Sequence, residues 1–257
     1  MKKKILNIKK LKSKNKLVCL TAYSKPITKI LDKYCDIILI GDSVATAFYG
    51  MKNTLSISLD TMINHGISVK KASKKSTVIF DMPINTYRSI KEAKKNAKKV
   101  LKKVNCDGIK IESNGKNFKI IKALVRSNIP VMGHIGYTPQ FKKKFKAQGL
   151  EKNQEERLIK ESIKIEEAGA FSLVLECVTQ NTAKKITKLL NIPTIGIGSS
   201  KFCDGQILVT DDLIGLSGFY PKFVKKYANL KNIIEKSIRK FKKDVKNKKF
   251  PNNYNAY

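Results

Sequence analysis

Short apolar runs recur along the chain, separated by lysine-rich stretches. Residues 17–21 (LVCLT), 36–40 (DIILI), 77–80 (TVIF), 108–111 (GIKI), 130–135 (PVMGHI), 171–175 (FSLVL), 193–197 (PTIGI) and 213–216 (LIGL) make eight such runs. Each is too short for a helix, and most are rich in β-branched residues, so they predict strands. Their near-continuous apolar character suits parallel strands covered on both faces.

The intervening stretches carry helical periodicity. Residues 89–104 (SIKEAKKNAKKVLKKV) open on Ser89 with Glu92 three residues later, a capping-box pattern. Residues 116–126, 154–168 and 182–190 also alternate at helical spacing, and a further helix is predicted over about 59–72. Strand and helix alternate through the chain, which argues for a parallel sheet. Eight units in 257 residues favour a closed (β/α)8 barrel over an open doubly wound sheet. No G-x-G-x-x-G follows the first strand, which weighs against dinucleotide binding. The predicted fold is therefore an α/β, (β/α)8 barrel in a single domain spanning 1–257. Its core covers about 15–230, and a Lys-rich helix follows at about 231–248. Residues 44–58 and 136–149 read as long loops. In the last helix, Ile233, Ile234, Ile238, Phe241 and Val245 share one side, which reads as a packing face.

Composition narrows the classes. The apolar fraction of 42% supports a sizeable core. A net charge of +33 invites a nucleic-acid or membrane-surface reading. The charge is mostly Lys, however, it is spread along the chain, and no nucleic-acid-binding motif accompanies it. Solvated helix faces account for it better. Five cysteines, with no C-x-x-C pair, fit free thiols in a reducing cytoplasm. The basic N-terminus lacks the apolar core of a signal peptide, and no 18-residue apolar stretch predicts a membrane span.

Candidate chemistry lies where the predicted strands end, because parallel barrels gather their reactive groups at that face. Strand two ends in Asp42, strand three in Asp81, strand four in Glu112 and strand six in Glu176, while strand five carries His134. Taken singly, an Asp after a strand is commonly a helix cap and a His commonly a core residue. Five successive ionisable groups after apolar runs point instead to one converging site. Lys110 shares strand parity with Glu112, and an ammonium inside the barrel needs an anionic partner or a function. Converging carboxylates make an oxygen-only site that suits Mg²⁺. A 2-oxo acid would chelate such an ion, which acidifies the neighbouring C–H. Lys110 could then neutralise the oxyanion, with Glu176 as proton acceptor or donor.

The motifs TAYS (21–24), GDS (41–43), NTL (53–55), FDMP (80–83), GIKIE (108–112), GHIGYTPQ (133–140), LVLECV (173–178), IPTIGIGS (192–199), CDGQILV (203–209) and YPKFVKKY (220–227) keep one order along the chain. Together they resemble the ketopantoate hydroxymethyltransferases. The resemblance implies transfer of a hydroxymethyl unit from 5,10-methylenetetrahydrofolate to 3-methyl-2-oxobutanoate, giving 2-dehydropantoate and tetrahydrofolate for pantothenate synthesis. It implies one Mg²⁺ held by Asp42, Asp81 and Glu112, with Glu112 the candidate for acting through water. It also implies an oxo acid bound by Asp42, Ser43, Asp81, Lys110 and His134, and Glu176 as the proton acceptor. The family's (β/α)8 barrel assembles as a homodecamer, with no nucleic acid or membrane as partner.

Four positions depart from the family pattern. Val44-Ala45 replace Leu-Gly after GDS, Ser24 replaces an Asp, and Ser56 replaces a Pro. Loss of the glycine could alter the loop backbone beside the metal. Two other functions compete with this one: a metal-dependent oxo-acid lyase on a related barrel, without folate, and a basic nucleic-acid-binding protein with steep salt dependence.

Overall fold

Apolar runs buried on both faces need a layer inside and a layer outside, and a helix-wrapped barrel supplies both. The computed structural model describes residues 3–142, 145–218 and 220–257. Two compact units divide the chain, Met1–Val209 and Thr210–Tyr257. The first unit contains, in order, α1 (Lys3–Lys10), β1 (Leu17–Thr21), α2 (Lys25–Leu31), β2 (Ile37–Ile40), α3 (Val44–Ala47), α4 (Leu59–Ala72), β3 (Thr77–Asp81) and α5 (Ile90–Val104). It continues with β4 (Gly108–Glu112), α6 (Phe118–Val125), β5 (Val131–Gly136), α7 (Lys152–Glu167), β6 (Ser172–Glu176), α8 (Gln180–Leu189), β7 (Thr194–Ile197) and β8 (Gly205–Leu208). All neighbours pair in parallel, and β8 returns to β1 to close the barrel.

Seven of the predicted strands form within a residue or two of their apolar runs. The eighth does not. Residues 213–216 end a short helix and the turn after it, and the closing strand is β8, nearer the N-terminus. Its GQIL sequence hides it, because Gly and Gln fill half of it. The glycine is needed there: a Cβ on Gly205 would lie 2.6 Å from Leu17 Cβ on β1.

The helices follow their apolar faces. In α5, Ala93, Ala97, Val100 and Val104 are buried at helical spacing while Lys91, Lys95, Lys98 and Lys102 face solvent. Ser89 caps the helix by accepting the Glu92 N–H at 3.2 Å, and Glu92 accepts from the Arg88 N–H at 3.0 Å. Asn105 ends it in the left-handed conformation.

Two apolar layers result. Between strands and helices lies the larger layer, built around residues such as Ile38, Phe80, Ile109 and Leu175. Inside the barrel lies the smaller one. There Ile5 and Ile8 of α1 pack with Leu17, Ile37, Ile79, Phe171, Ile195 and Ile207. Most of these residues lie early in their strands, so α1 stoppers the end of the barrel opposite the strand C-termini. Lys4 pins it by donating to the Ser76 carbonyl at 2.7 Å.

The predicted loop 44–58 holds more order than expected: α3, then a 3-10 turn at Thr54–Ser56 capped by Asn53. Ala45 sits in α3 as a buried residue in right-handed conformation, so nothing at this position calls for the missing glycine. In the predicted loop 136–149, Gly136 still belongs to β5, and the described residues after it carry no helix or strand, only a bridge from Gln148 to Val178; residues 143–144 lie outside the described residues.

The second unit contains α9 (Thr210–Leu213) and α10 (Leu230–Lys246). The apolar side of α10 is exposed among the described residues, where its pattern predicts a packing face. Ile233, Ile234, Ile238, Phe241 and Val245 are all exposed. No helix among the described residues is long and apolar enough to cross a membrane.

Candidate active site

The strand ends deliver ionisable side chains one after another around the barrel. Register places Asp81 beside Lys110, Glu112 beside His134, and Gly136 beside Glu176 on neighbouring strands. Asp42 enters differently from the way its apolar run suggested. Strand β2 stops at Ile40, and Asp42 lies in the following turn, with its N–H 3.4 Å from Asp81 Oδ2. Asp42, Asp81, Lys110, Glu112 and His134 are all buried, and Glu176 is slightly open.

Lys110 is the cationic centre. Its ammonium donates to Asp81 Oδ1 at 2.8 Å and Oδ2 at 2.7 Å. Burial alone would favour discharging it, but Asp81, Glu112 and Asp42 outweigh burial and hold it charged. The acids feel the reverse. Burial pushes Asp81 up to about 7 against the pull of Lys110, with Asp42 adding to the rise. Burial also raises Glu112 far above the usual carboxylate range; Lys110 opposes this, and Asp42, Asp81 and Glu176 reinforce it. Glu176 rises to about 8, again through burial, opposed by Lys110 and helped by Asp42 and Asp81.

His134 stands between two of these acids. Its Nδ1 is 3.6 Å from Glu112 Oε1, and its Nε2 is 3.1 Å from Glu176 Oε2. Neither contact is aligned as a hydrogen bond, so both ring nitrogens and Glu112 Oε1 lack a partner. Burial, and then the charge of Lys110, push the imidazole well below its ordinary value, so it is neutral.

Ser43 lies half-buried at the edge, its hydroxyl 2.8 Å from Tyr23 Oη. The predicted residues Asp42, Asp81, Lys110, Glu112, His134 and Glu176 thus share one region, and Ser43 borders it beside Asp42. Three further residues were not foreseen. Gln140 donates from Nε2 to Asp42 Oδ2 at 2.9 Å and to the Met82 carbonyl at 3.1 Å. Its backbone N–H donates to Glu112 Oε2 at 3.0 Å, and its Oε1 accepts from Tyr87 Oη. Tyr23 holds Ser43. The hints in the sequence are that Gln140 closes the GHIGYTPQ motif and that Tyr23 lies within TAYS.

Burial, and the negative charge that ionising all four carboxylates around one ammonium would leave uncompensated, favour protons on Asp81, Glu112 and Glu176, and Glu112 Oε1 has no donor. The donors are all oxygens, with no thiolate–imidazole set. That chemistry fits a hard divalent cation such as Mg²⁺. Among the described residues no group of three or more His, Cys, Asp or Glu closes on an ion unaided. Mg²⁺ commonly takes only one or two carboxylates and completes its shell with water and substrate oxygens. The loop beyond β5 leaves at Gly136 with φ +98°, where an added Cβ would also press on Val178 Cγ2 at 2.7 Å. This turn brings Gln140 back over the cluster.

Comparison with known proteins gives consistent matches. The family model described as ketopantoate hydroxymethyltransferase matches residues 2–253. The chain is 49% identical over 257 residues to a 3-methyl-2-oxobutanoate hydroxymethyltransferase of Pelagibacter ubique, covering all of both chains. It is 43% identical over 256 residues to the enzyme of the same name from Anaplasma marginale, covering 98% of this chain and 92% of that one. Among solved structures, a 2,3-dimethylmalate lyase matches with TM-score 0.65 at 13% identity, covering 98% of this chain and 87% of the other. A phosphonopyruvate hydrolase complexed with oxalate and Mg²⁺ matches with TM-score 0.64 at 11% identity, covering 95% and 87%. At these identities the structural likeness speaks for the fold alone.

Proposed function

The chain belongs to the ketopantoate hydroxymethyltransferase family, whose reaction is hydroxymethyl transfer in pantothenate synthesis, and from that premise we propose a specific chemistry for its acid cluster. The acceptor is 3-methyl-2-oxobutanoate and the donor 5,10-methylenetetrahydrofolate. The C3–H bond gives up its proton and a new bond joins C3 to the one-carbon unit; both C–N bonds of the methylene bridge break, water supplies the hydroxyl, and the folate nitrogens take up the C3 proton and the remaining water proton, so that 2-dehydropantoate and tetrahydrofolate leave.

The observation that carries this reading is the gathering of Asp42, Asp81, Glu112 and Glu176 around Lys110. Asp42, Asp81 and Glu112 would hold Mg²⁺, Glu112 through water. When bound, the ion supplies Lewis-acid polarisation of the 2-oxo group. Glu176 takes the C3 proton. Its raised pKa makes its ionised form a stronger base than an exposed glutamate. Lys110 lies where it can offset negative charge developing on the keto oxygen. Neutral His134 lies with Nε2 3.1 Å from Glu176 Oε2 and both ring nitrogens unpartnered, so it can offer a polar contact to the bound acid without adding charge beside Glu176. Ser43, held by Tyr23, hydrogen-bonds the acid's carboxylate. Assembly into a homodecamer belongs to the same reading, and sedimentation velocity measures it.

The decisive experiment incubates 3-methyl-2-oxobutanoate with the protein in D₂O and follows the C3 proton by NMR. Exchange is expected with Mg²⁺ and not with EDTA. Glu176→Gln and Asp81→Ala should each slow it by about 10²–10⁴-fold, the usual contribution of a positioned acid or base. Exchange that persists in EDTA, or at the wild-type rate in Glu176→Gln, would overturn the assignment.

A further inference from the structure

We propose that His65 of α4 is a positioning residue for the oxo acid's carboxylate: it holds Tyr23, whose hydroxyl aims Ser43 at the bound acid. This inference rests on the function proposed above and adds a residue that stands outside the acid cluster.

Helix α4 lies close against the barrel. Gly66 allows this, since a Cβ there would come within 2.9 Å of Val104 on α5 and 3.4 Å of Ile40 on β2. His65 beside it and Ser68 one turn on grip the turn between β1 and α2. Ser68 Oγ accepts the Lys25 N–H at 3.0 Å, at the start of a helix whose own cap residue, Ser24, makes no side-chain cap. His65 Nδ1 lies 2.7 Å from the Tyr23 carbonyl. A carbonyl only accepts, so Nδ1 carries a proton, and in the neutral ring Nε2 is the acceptor. Tyr49 supplies the donor, with Oη 2.9 Å from Nε2. The imidazole also meets the rings of Tyr23, Phe48 and Tyr49 edge-on, at centroid distances of 6.5, 5.4 and 5.6 Å. One side chain thus ties the end of β1 to the segment that follows α3.

Ser43 stands at the start of α3, between these two anchors in the chain. Its Oγ is 2.8 Å from Tyr23 Oη. Gly41 leaves room for that hydroxyl, since a Cβ there would lie 2.7 Å from Ser43 Oγ. A serine has one proton to give. To donate it to a carboxylate, Ser43 must accept from Tyr23. Tyr23 is buried, so the aim of its phenol follows from where its backbone is held, and His65 holds it.

The test follows C3 exchange in D₂O with Mg²⁺ against 3-methyl-2-oxobutanoate concentration. His65→Leu should raise KM about tenfold and leave the maximal rate within about twofold, because the carboxylate contact is made equally in ground and transition states. His65→Asn, which keeps a donor beside the Tyr23 carbonyl, should recover most of the loss. In a Ser43→Ala background His65→Leu should raise KM no further, since both act on one contact. Should His65→Leu not fold, Tyr49→Phe carries the same reading, with a rise of about threefold. The chain has two histidines, so ¹⁵N NMR of labelled imidazoles, assigned with His65→Asn, reads the tautomer directly. At about pH 8, above the ordinary imidazole range, His65 should carry its proton on Nδ1. An Nε2–H tautomer would overturn the proposal. So would wild-type KM in folded His65→Leu, or an undiminished further rise in KM on top of Ser43→Ala. Wild-type protein with Mg²⁺ that does not exchange C3 protium fails the proposed function itself, a separate result, and the tautomer still tests His65.

Discussion

Gln140 joins two carboxylates that lie far apart in sequence. Its side chain donates to Asp42, its backbone donates to Glu112, and Tyr87 holds its carboxamide oxygen. A group that orients proposed metal ligands commonly contributes 10–100-fold to metal affinity. Gln140→Ala should therefore raise the Mg²⁺ concentration for half-maximal exchange by about that factor; Mg²⁺ titration of the NMR exchange rate measures it. Asp32 shows the same logic away from the site. It accepts N–H bonds from Lys74, Lys75 and Ser76 and a hydroxyl bond from Ser73, fastening the turn into β3. Burial pushes its pKa up, but these donors outweigh burial and hold it well below the usual range. A depressed folded pKa contributes stability above the unfolded value of about 3.9 and loses it as pH falls toward the folded value. Asp32→Ala should cost about 2–3 kcal/mol at pH 7, with the gap to wild type narrowing below about pH 4. Urea unfolding at several pH values measures both. The acidic residues were legible because charges at the ends of apolar runs stand out. Gln140, Tyr23 and Tyr87 were not, since a neutral polar side chain in a loop or turn looks the same whether it faces water or a carboxylate.

At the scale of elements, periodicity located what was long or repeated and missed what was short or diluted. Helix α5 was readable from Ser89 to Val104 because its cap and its small apolar stripe agree. Strand β8 escaped because Gly205 answers to the close approach of Leu17 and not to strand propensity. Helix α1 escaped because lysines outnumber the two isoleucines that anchor it. Those isoleucines nevertheless seal the barrel's lower layer, and Ile5 is fully buried. Ile5→Ala should destabilise the protein by about 2–5 kcal/mol, the range for truncating a buried isoleucine. Thermal and denaturant unfolding measure it. A loss well under 1 kcal/mol would mean that α1 is not part of the cooperative core.

At the scale of the molecule, the net charge of +33 reads as solubilised helix faces with one buried exception. Among the described residues Lys110 is the lysine that is buried, and it faces carboxylates. Stoppering by α1 also has a kinetic consequence. A vessel corked at its base fills and empties through a single neck. Under the proposed reaction, the small oxo acid sits at the bottom and the bulkier folate above it, so arrival and departure form a queue. The acid enters first and the pantoate precursor departs last, after tetrahydrofolate has cleared the way. Steady-state inhibition should follow: 2-dehydropantoate competes with 3-methyl-2-oxobutanoate and is noncompetitive toward methylenetetrahydrofolate. Competition with the folate instead would mean a second route out of the barrel.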